Sequence, residues 1–309
     1  VSTGFLERSR TMQSFIGWVG GKKKLSKTLV ALIPGHTCYV EPFGGAGWVL
    51  FAKEPSKVEV YNDLDSRLVN LFRCVKYHPK EVCREFQFLL GSREIWNELR
   101  EQPGLTDIQR AGRFFFVLRQ SVANKAATWG YSRRNRFNAF PLEKLMVDME
   151  VIRHRLERVT IEHRDFGRIL PQFDTPETFC YLDPPYYGCE SCYQVRFSEE
   201  DHARLHAAVE GLVGRWLMTY NDTEWGRETY RACNVYEVEA PYSVSVGSGH
   251  QPGPQLIITN YALTADQLAA APRDVTPVHT PIKGGSKRRR RSTAQPRPAP
   301  AAKRTHKRR

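Results

Sequence analysis

The sequence predicts an α/β fold: a wound, parallel sheet interrupted by a mainly helical insertion and followed by a basic tail. Three observations carry this. The run Cys38-Tyr39-Val40-Glu41 is short and apolar, and it leads through a glycine-rich turn into the helical pattern of Trp48 to Lys53. Lys57 to Tyr61 is β-rich and ends at Asn62-Asp63, after which Leu64, Leu68, Leu71, Phe72 and Val75 fall at helical spacing. Two strand–helix units in series argue for a parallel, wound sheet. The alternation then stops and later resumes. Residues 79–121 look helical throughout, 122–140 break the pattern, and helical periodicity returns from Leu142 to Leu156.

Strand signals follow at Val159 to His163 and at the buried run Phe179-Cys180-Tyr181-Leu182. Ser198 with Asp201 opens a helix to about Val213. Trp216 to Tyr220, Val235 to Glu239 and Gln255 to Tyr261 complete the strands. The expected division is a sheet domain over 12–76 and 159–271, an insertion over 77–158, and a tail over 272–309. Residues 1–11 read as an extension before Met12 and stand outside the fold.

Charge is unevenly placed. The chain of 309 residues carries a net +13. Residues 272–309 hold thirteen Lys or Arg and one acid, Asp274, which leaves the rest with 33 basic and 32 acidic residues. This proline-rich segment, centred on Lys287-Arg288-Arg289-Arg290-Arg291, cannot bury enough apolar surface to fold, so it is expected to be disordered. It should add salt-sensitive, sequence-independent attraction to phosphate, unless it serves only solubility or localisation. No apolar run is long enough to span a bilayer, and the start lacks a signal-peptide pattern, so the expected location is cytoplasmic. The seven cysteines are odd in number and scattered, which argues against a disulfide framework. Cys189 and Cys192 form a C-x-x-C without the second pair or histidines of a zinc site, so they read as two reduced thiols, and no metal is expected.

Glycine lets a backbone approach a ligand closely. The turn here is Phe43-x-Gly45-x-Gly47, without the third glycine of the dinucleotide fingerprint. Asp63 ends the next strand, where an acid commonly binds ribose hydroxyls. Turn and acid together point to a nucleoside-like ligand. Trp18 and Lys22 flank a double glycine near the start. An aromatic face suits the sulfonium of S-adenosylmethionine, a lysine suits its carboxylate, and Glu41 suits its amino group.

Asp183-Pro184-Pro185-Tyr186 is the most informative tetrapeptide, because it ends a buried strand and α/β sheets bind ligands at the carboxyl ends of their strands. An exocyclic aromatic amine is a poor nucleophile, its lone pair being delocalised into the ring. A carboxylate taking one N–H and a rigid carbonyl taking the other can localise that lone pair. Asp183 and the Pro184 carbonyl supply these acceptors, and two prolines limit reorganisation. Tyr186 or Tyr187 offers a face for a stacked base. A base in duplex DNA must be flipped out to be reached, at a cost of a few kcal/mol.

In order along residues 14–263, these pieces resemble the Dam-like family of DNA adenine methylases with α-type motif order. The matching stretches are Trp18-Val19-Gly20-Gly21-Lys22, Val40 to Gly47, Tyr61-Asn62-Asp63 and Tyr181 to Tyr186. Phe197-Ser198 with Leu205, and Thr219-Tyr220-Asn221, resemble later motifs. The resemblance implies a Rossmann-like methyltransferase sheet with a target-recognition insertion, an S-adenosylmethionine-dependent enzyme without metal, and methylation of adenine N6 at a specific double-stranded DNA sequence. It implies that Trp18, Lys22, Asp63 and Asp183 contact or adjoin the cofactor, that Asp165-Phe166 lines its adenine, and that Asp183 to Tyr186 hold the target base. In the insertion, Arg119, Asn124, Lys125, Arg133, Arg134 and Arg136 cluster with Trp129, Tyr131 and Phe137, an interleaving suited to phosphate contact with stacking or wedging. The stretch Arg119 to Trp129 departs from that used by Dam enzymes on GATC, so that site is not assigned. Expected partners are double-stranded DNA and, in a restriction–modification pair, a cognate endonuclease; the expected state is a monomer. The competing readings are methylation of cytosine, RNA or protein glutamine, and a non-catalytic DNA-binding module. Asp in the first position of the tetrapeptide and the Trp18 motif favour adenine.

Overall fold

The computed structural model describes residues 12–87, 89, 91–122, 126–130, 142–190, 195–239 and 254–279. Helix α1 (Ser26–Leu32) leads to β1 (Cys38–Glu41), α2 (Trp48–Ala52), β2 (Val58–Asn62) and α3 (Ser66–Tyr77). The insertion supplies α4 (Pro79–Arg84), α5 (Arg93–Glu101), α6 (Asp107–Arg119) and α7 (Leu142–Leu156). Then come β3 (Val159–Glu162), α8 (Phe166–Phe173), β4 (Thr178–Leu182), α9 (Glu199–Glu210), β5 (Arg215–Asn221) and α10 (Glu224–Thr229). The last elements are β6 (Asn234–Val238), β7 (Gln255–Thr259), α11 (Ala265–Ala270) and β8 (Val275–His279).

All eight strands form one sheet in the order β3-β2-β1-β4-β5-β7-β6-β8. Strands β3, β2, β1, β4 and β5 run parallel. The expectation of a parallel sheet fails beyond them. β7 is antiparallel to β5 and β6, and β8 is antiparallel to β6. Both faces of the sheet are covered, so successive strand residues enter different cores. Tyr39, Tyr61, Phe179 and Tyr181 join the cluster on one face; Val40, Val60, Cys180 and Leu182 join the other.

The reading of 79–121 as continuous helix is corrected. Three helices stand there, separated where capping beats periodicity. Ser92 caps α5 by accepting the Glu94 N–H, and Thr106 forms a reciprocal box with Gln109 at the start of α6. Between them Gly104 takes φ 103°, which L side chains rarely adopt. The insertion does not keep a core of its own. Trp96, Phe115, Phe116, Leu145 and Met149 belong to the same cluster as Tyr39 and Tyr61. The boundary at 271 also moves, because β8 adds residues 275–279 to the sheet. The expected disorder of the tail from 280 onward lies outside the described residues. Among the described residues no helix is long and apolar enough to cross a membrane.

A buried ion cluster ties the insertion to the sheet. Glu59 on β2 pairs with Lys53 and with Arg155 of α7, and all three side chains are almost wholly buried. The Arg155 guanidinium also donates to the Leu50 carbonyl at 2.6 Å. Removing the anion leaves two interior cations uncompensated. Glu59→Gln is therefore expected to cost about 3–5 kcal/mol of unfolding free energy in urea denaturation; a loss below about 1 kcal/mol would show that water already screens the cluster.

Candidate active site

The strand order reverses at β1, which pairs with β2 on one side and β4 on the other. A crevice opens at such a point, at the carboxyl ends of the strands. Here it brings together Trp18, Lys22, Glu41, Phe43, Gly45, Asp63, Asp165, Phe166 and Asp183. These come from five separate stretches of chain, and sequence reasoning named all of them. Gly47, also named, does not line the crevice. It takes φ 66° and accommodates the turn into α2.

The turn is built around Asn62 and Asp63. The Asn62 side chain donates to the Pro42 and Arg164 carbonyls at 2.8 and 2.9 Å and accepts the Arg164 N–H at 2.8 Å. Its own carbonyl accepts the Gly44 N–H at 2.8 Å. A Cβ at Gly44 would fall 2.3 Å from the Tyr61 ring, so only glycine fits this close approach. The Asp63 carboxylate accepts the backbone N–H groups of Gly45 (2.7 Å) and Asp65 (2.8 Å). Burial still outweighs these bonds and pushes Asp63 up to about 6. Glu41 is buried beneath the turn, where one oxygen accepts the Tyr39 hydroxyl at 2.5 Å and the Leu50 N–H at 2.8 Å. Desolvation pushes it up to about 8.

Beside the turn, Phe43, Phe166 and Phe197 form a ring cluster with centroids 5.5–6.0 Å apart. Asp165 caps α8 through the Gly167 N–H and is paired with Arg204 at 2.7 Å. Sequence reasoning gave Phe197 no role. Its distance in sequence from Phe43 hides a contact that only α8 and α9, packed on one sheet face, create.

At the other end of the crevice Asp183 follows β4. Lys22 reaches both its oxygens, at 2.6 and 2.8 Å, and also donates to the Gly20 carbonyl at 2.8 Å. Thr219 of β5, another residue without an assigned role, donates to Asp183 at 2.8 Å. Lys22 is 5% exposed, and its ammonium lies 4.9 Å from the centre of the Tyr186 ring. The pairing anchors the N-terminal motif on the tetrapeptide 161 residues later. Tyr186 is buried, packs on Tyr220 at 5.7 Å and bonds to Gln255. One face of Tyr187 is taken by Trp225, stacked at 4.7 Å and 4°. A base stacking on that face must displace the indole. Asn221 donates to the Tyr187 carbonyl at 2.9 Å and steadies the same loop.

In the insertion, Arg119 ends α6 with its guanidinium 5.6 Å from the Phe115 ring, and burial lowers its pKa. Asn124, Lys125, Arg133, Arg134 and Arg136 lie outside the described residues, as do Tyr131, Phe137 and Cys192. Trp129 is described and corrects one expectation. It is buried against Trp96 at 6.1 Å, so it serves the core rather than a stacking surface. Among the described residues, no three His, Cys, Asp or Glu converge as metal ligands.

The family model of D12 class N6 adenine-specific DNA methyltransferases matches residues 18–244. A Type II methyltransferase of Lactococcus lactis subsp. cremoris, M1.LlaDCHI, is 27% identical over 81% of this chain and 96% of its own. The DNA adenine methylase of Escherichia coli K12 is 25% identical over 77% of this chain and 91% of its own. The rRNA methyltransferase aviRa of Streptomyces viridochromogenes aligns over 86% of this chain and 94% of its own, at 12% identity and a TM-score of 0.34. The crevice runs from the Trp18 motif to the tetrapeptide at Asp183, all within the matched span. The chain belongs to the D12 class of N6 adenine-specific DNA methyltransferases, and it methylates adenine N6 in DNA.

Proposed function

We propose that the crevice holds S-adenosylmethionine along Trp18, Glu41, Asp63, Asp165 and Phe166, and holds a flipped-out adenine of double-stranded DNA at Asp183 and the Pro184 carbonyl. The observation that carries this is the geometry of Asp183, fixed by Lys22 and Thr219 at the mouth of a crevice whose far end is a glycine turn over two desolvated carboxylates. The residues suit the cofactor. A Cβ at Gly45 would stand 3.2 Å from the Trp18 ring, so the backbone leaves a cradle there. Asp63 suits a ribose diol, Glu41 an ammonium, and the Phe43–Phe166–Phe197 cluster a flat purine. When bound, S-adenosylmethionine supplies an electrophilic methyl group.

The chain does the rest by holding and orienting. An ionised carboxylate offers about four acceptor positions. Lys22 and Thr219 occupy three at Asp183, which leaves a lone pair for one N6 hydrogen. As N6 attacks, positive charge grows on the nitrogen, and the Asp183 carboxylate stabilises it. The prolines hold the second acceptor rigid.

Recognition of a specific sequence falls to the segment from Arg119 to Arg136. The tail adds non-specific phosphate attraction. It leaves the sheet at His279, beside Val235 at the start of β6. That is the sheet edge opposite Asp183, but 30 residues span up to roughly 100 Å when extended. The enzyme acts as a cytoplasmic monomer, with a cognate endonuclease as its partner in a restriction–modification pair.

Asp183→Ala is expected to lower methylation at least about 10³-fold while DNA retention on gels stays within about threefold. Labelled donor and separate DNA, RNA and protein acceptors check the reading; label confined to cytosine or to glutamine overturns it. Glu41, held near 8, is mainly protonated at pH 7 in the free protein. Pairing with the donor's ammonium lowers that value and expels the proton. Calorimetry in buffers of different ionisation enthalpy is expected to show release of close to one proton per donor bound at pH 7, abolished by Glu41→Gln. Donor affinity is also expected to fall as pH drops through about 6, where Asp63 becomes neutral, and Asp63→Asn should flatten that fall. Deleting 280–309 removes twelve cations and no acid. The slope of log K against log salt should become shallower by about 0.9 for every phosphate that the tail neutralises, while turnover at saturating DNA persists.

A further inference from the structure

Behind the Asp183–Tyr186 turn lies a buried histidine that methyl transfer does not itself require. His202, on the first turns of α9, is 1% exposed. Its Nδ1 lies 2.8 Å from the Tyr220 hydroxyl, and its Nε2 lies 3.2 Å from a Glu190 carboxylate oxygen. Four rings meet it edge to face: Phe197 at 4.7 Å, Trp225 at 5.4 Å, Tyr187 at 5.5 Å and Tyr220 at 6.0 Å. These partners select one neutral tautomer. Nε2–H donates to Glu190, and Nδ1 accepts the Tyr220 O–H.

The partners belong to different parts of the site. Glu190 ends the described loop that leaves Tyr187, and it also accepts the Gly188 N–H at 2.9 Å. Tyr220 packs on Tyr186, whose ring also faces the Lys22 ammonium. Phe197 belongs to the ring cluster with Phe43 and Phe166. One imidazole therefore touches the wall of the cofactor end, the support of the tetrapeptide tyrosine, and the loop that follows it. A phenylalanine would fill the same space. What histidine adds is two hydrogen bonds that fix where Glu190 and Tyr220 stand relative to Phe197.

We propose that His202 is a positioning residue that couples the packed state of the cofactor-side ring cluster to the placement of the loop and tyrosine holding the target adenine. The proposal rests on the reading of Asp183 to Tyr186 as the base-holding turn. Protonation would break the bridge. A second N–H on Nδ1 would face the Tyr220 hydroxyl and force it to surrender its donated bond. Burial lowers the His202 pKa, against the opposing pull of Glu190 from the loop and of Asp201 and Glu199 from its own helix. Among the described residues, the rings packed on the other faces are Phe197, Tyr187, Tyr220 and Trp225.

Two variants of the full chain separate coupling from packing. His202→Gln keeps a donor and an acceptor; His202→Phe keeps the ring and loses both. Steady-state kinetics on DNA, with donor saturating, should be measured from pH 5.5 to 8.5, alongside donor affinity and melting temperature. His202→Phe is expected to lose about tenfold or more in kcat while donor affinity stays within about twofold. His202→Gln is expected to recover most of kcat and to lack the decline that the unaltered chain shows as pH falls below the ordinary histidine range. Unchanged kcat in His202→Phe overturns the proposal. So does a parallel loss of kcat, donor affinity and melting temperature that His202→Gln does not rescue, because that marks a packing role alone. Failure of the base-holding reading shows separately, as methylation that survives Asp183→Ala.

Discussion

Three strand ends meet at one side-chain amide. Asn62 closes β2, and its amide reaches the Pro42 carbonyl just past β1 and both backbone groups of Arg164 just past β3. Its backbone carbonyl takes the Gly44 N–H. Every cofactor-side residue from these strands stands within two positions of one of these anchors. Glu41 and Phe43 flank Pro42, Asp63 follows Asn62, and Asp165 with Phe166 follow Arg164. A buried amide with both ends satisfied costs little, and one left unsatisfied costs about 1–3 kcal/mol per group. The knot is therefore both a stabilising contact and the frame that fixes where the crevice is polar.

Within that frame, electrostatics separates two kinds of carboxylate. Asp183 and Asp165 have cationic partners, Lys22 and Arg204. Asp63 and Glu41 are held by neutral donors, and burial raises both. An acid that gains its charge when a cation arrives suits a ligand that carries one, and an acid already paired suits a role that needs constant acceptor strength. The division matches an ammonium-bearing donor at one end and a neutral amine at the other.

Much of this was legible because local signals and the site coincide. A strand followed by a glycine turn, an acid ending the next strand, and a proline pair ending a buried strand each mark a carboxyl edge. Phe197 and Thr219 were marked by the resemblance as parts of later motifs, but their roles escaped because these arise from tertiary contact. Phe197 meets Phe43 only because α8 and α9 cover the same face, and Thr219 meets Asp183 only because β5 lies next to β4. The antiparallel β7 escaped for a related reason: an apolar run records burial on both faces but not strand direction. Trp129 misled because an aromatic among cations has the same composition whether it faces a core or a groove. The insertion's merger with the sheet core was equally hidden, since helical periodicity shows that a face is apolar but not what it packs against.

The distribution of charge follows from the chemistry. A crevice lined by six carboxylates, Glu41, Asp63, Asp65, Asp165, Asp183 and Asp201, must receive a base attached to two phosphates. Unpaired, those acids would repel the substrate. Lys22, Arg67 and Arg204 pair with four of them, Asp183, Asp65, Asp165 and Asp201, and desolvation raises the other two. The crevice therefore costs the DNA little repulsion, yet it supplies little attraction. Attraction has to come from outside it, and a body of 33 basic and 32 acidic residues offers no general field. Two stretches that carry cations and no acid are the run Arg119 to Arg136 and the tail beyond 280. The first is short and interleaved with aromatic residues, as base-edge reading requires. The second is longer, rooted at the far edge of the sheet, and free of acids, as sequence-independent capture requires. On the proposed reading, capture, target reading and chemistry fall to different stretches of chain, so the target sequence can change without disturbing the Lys22–Asp183 pair.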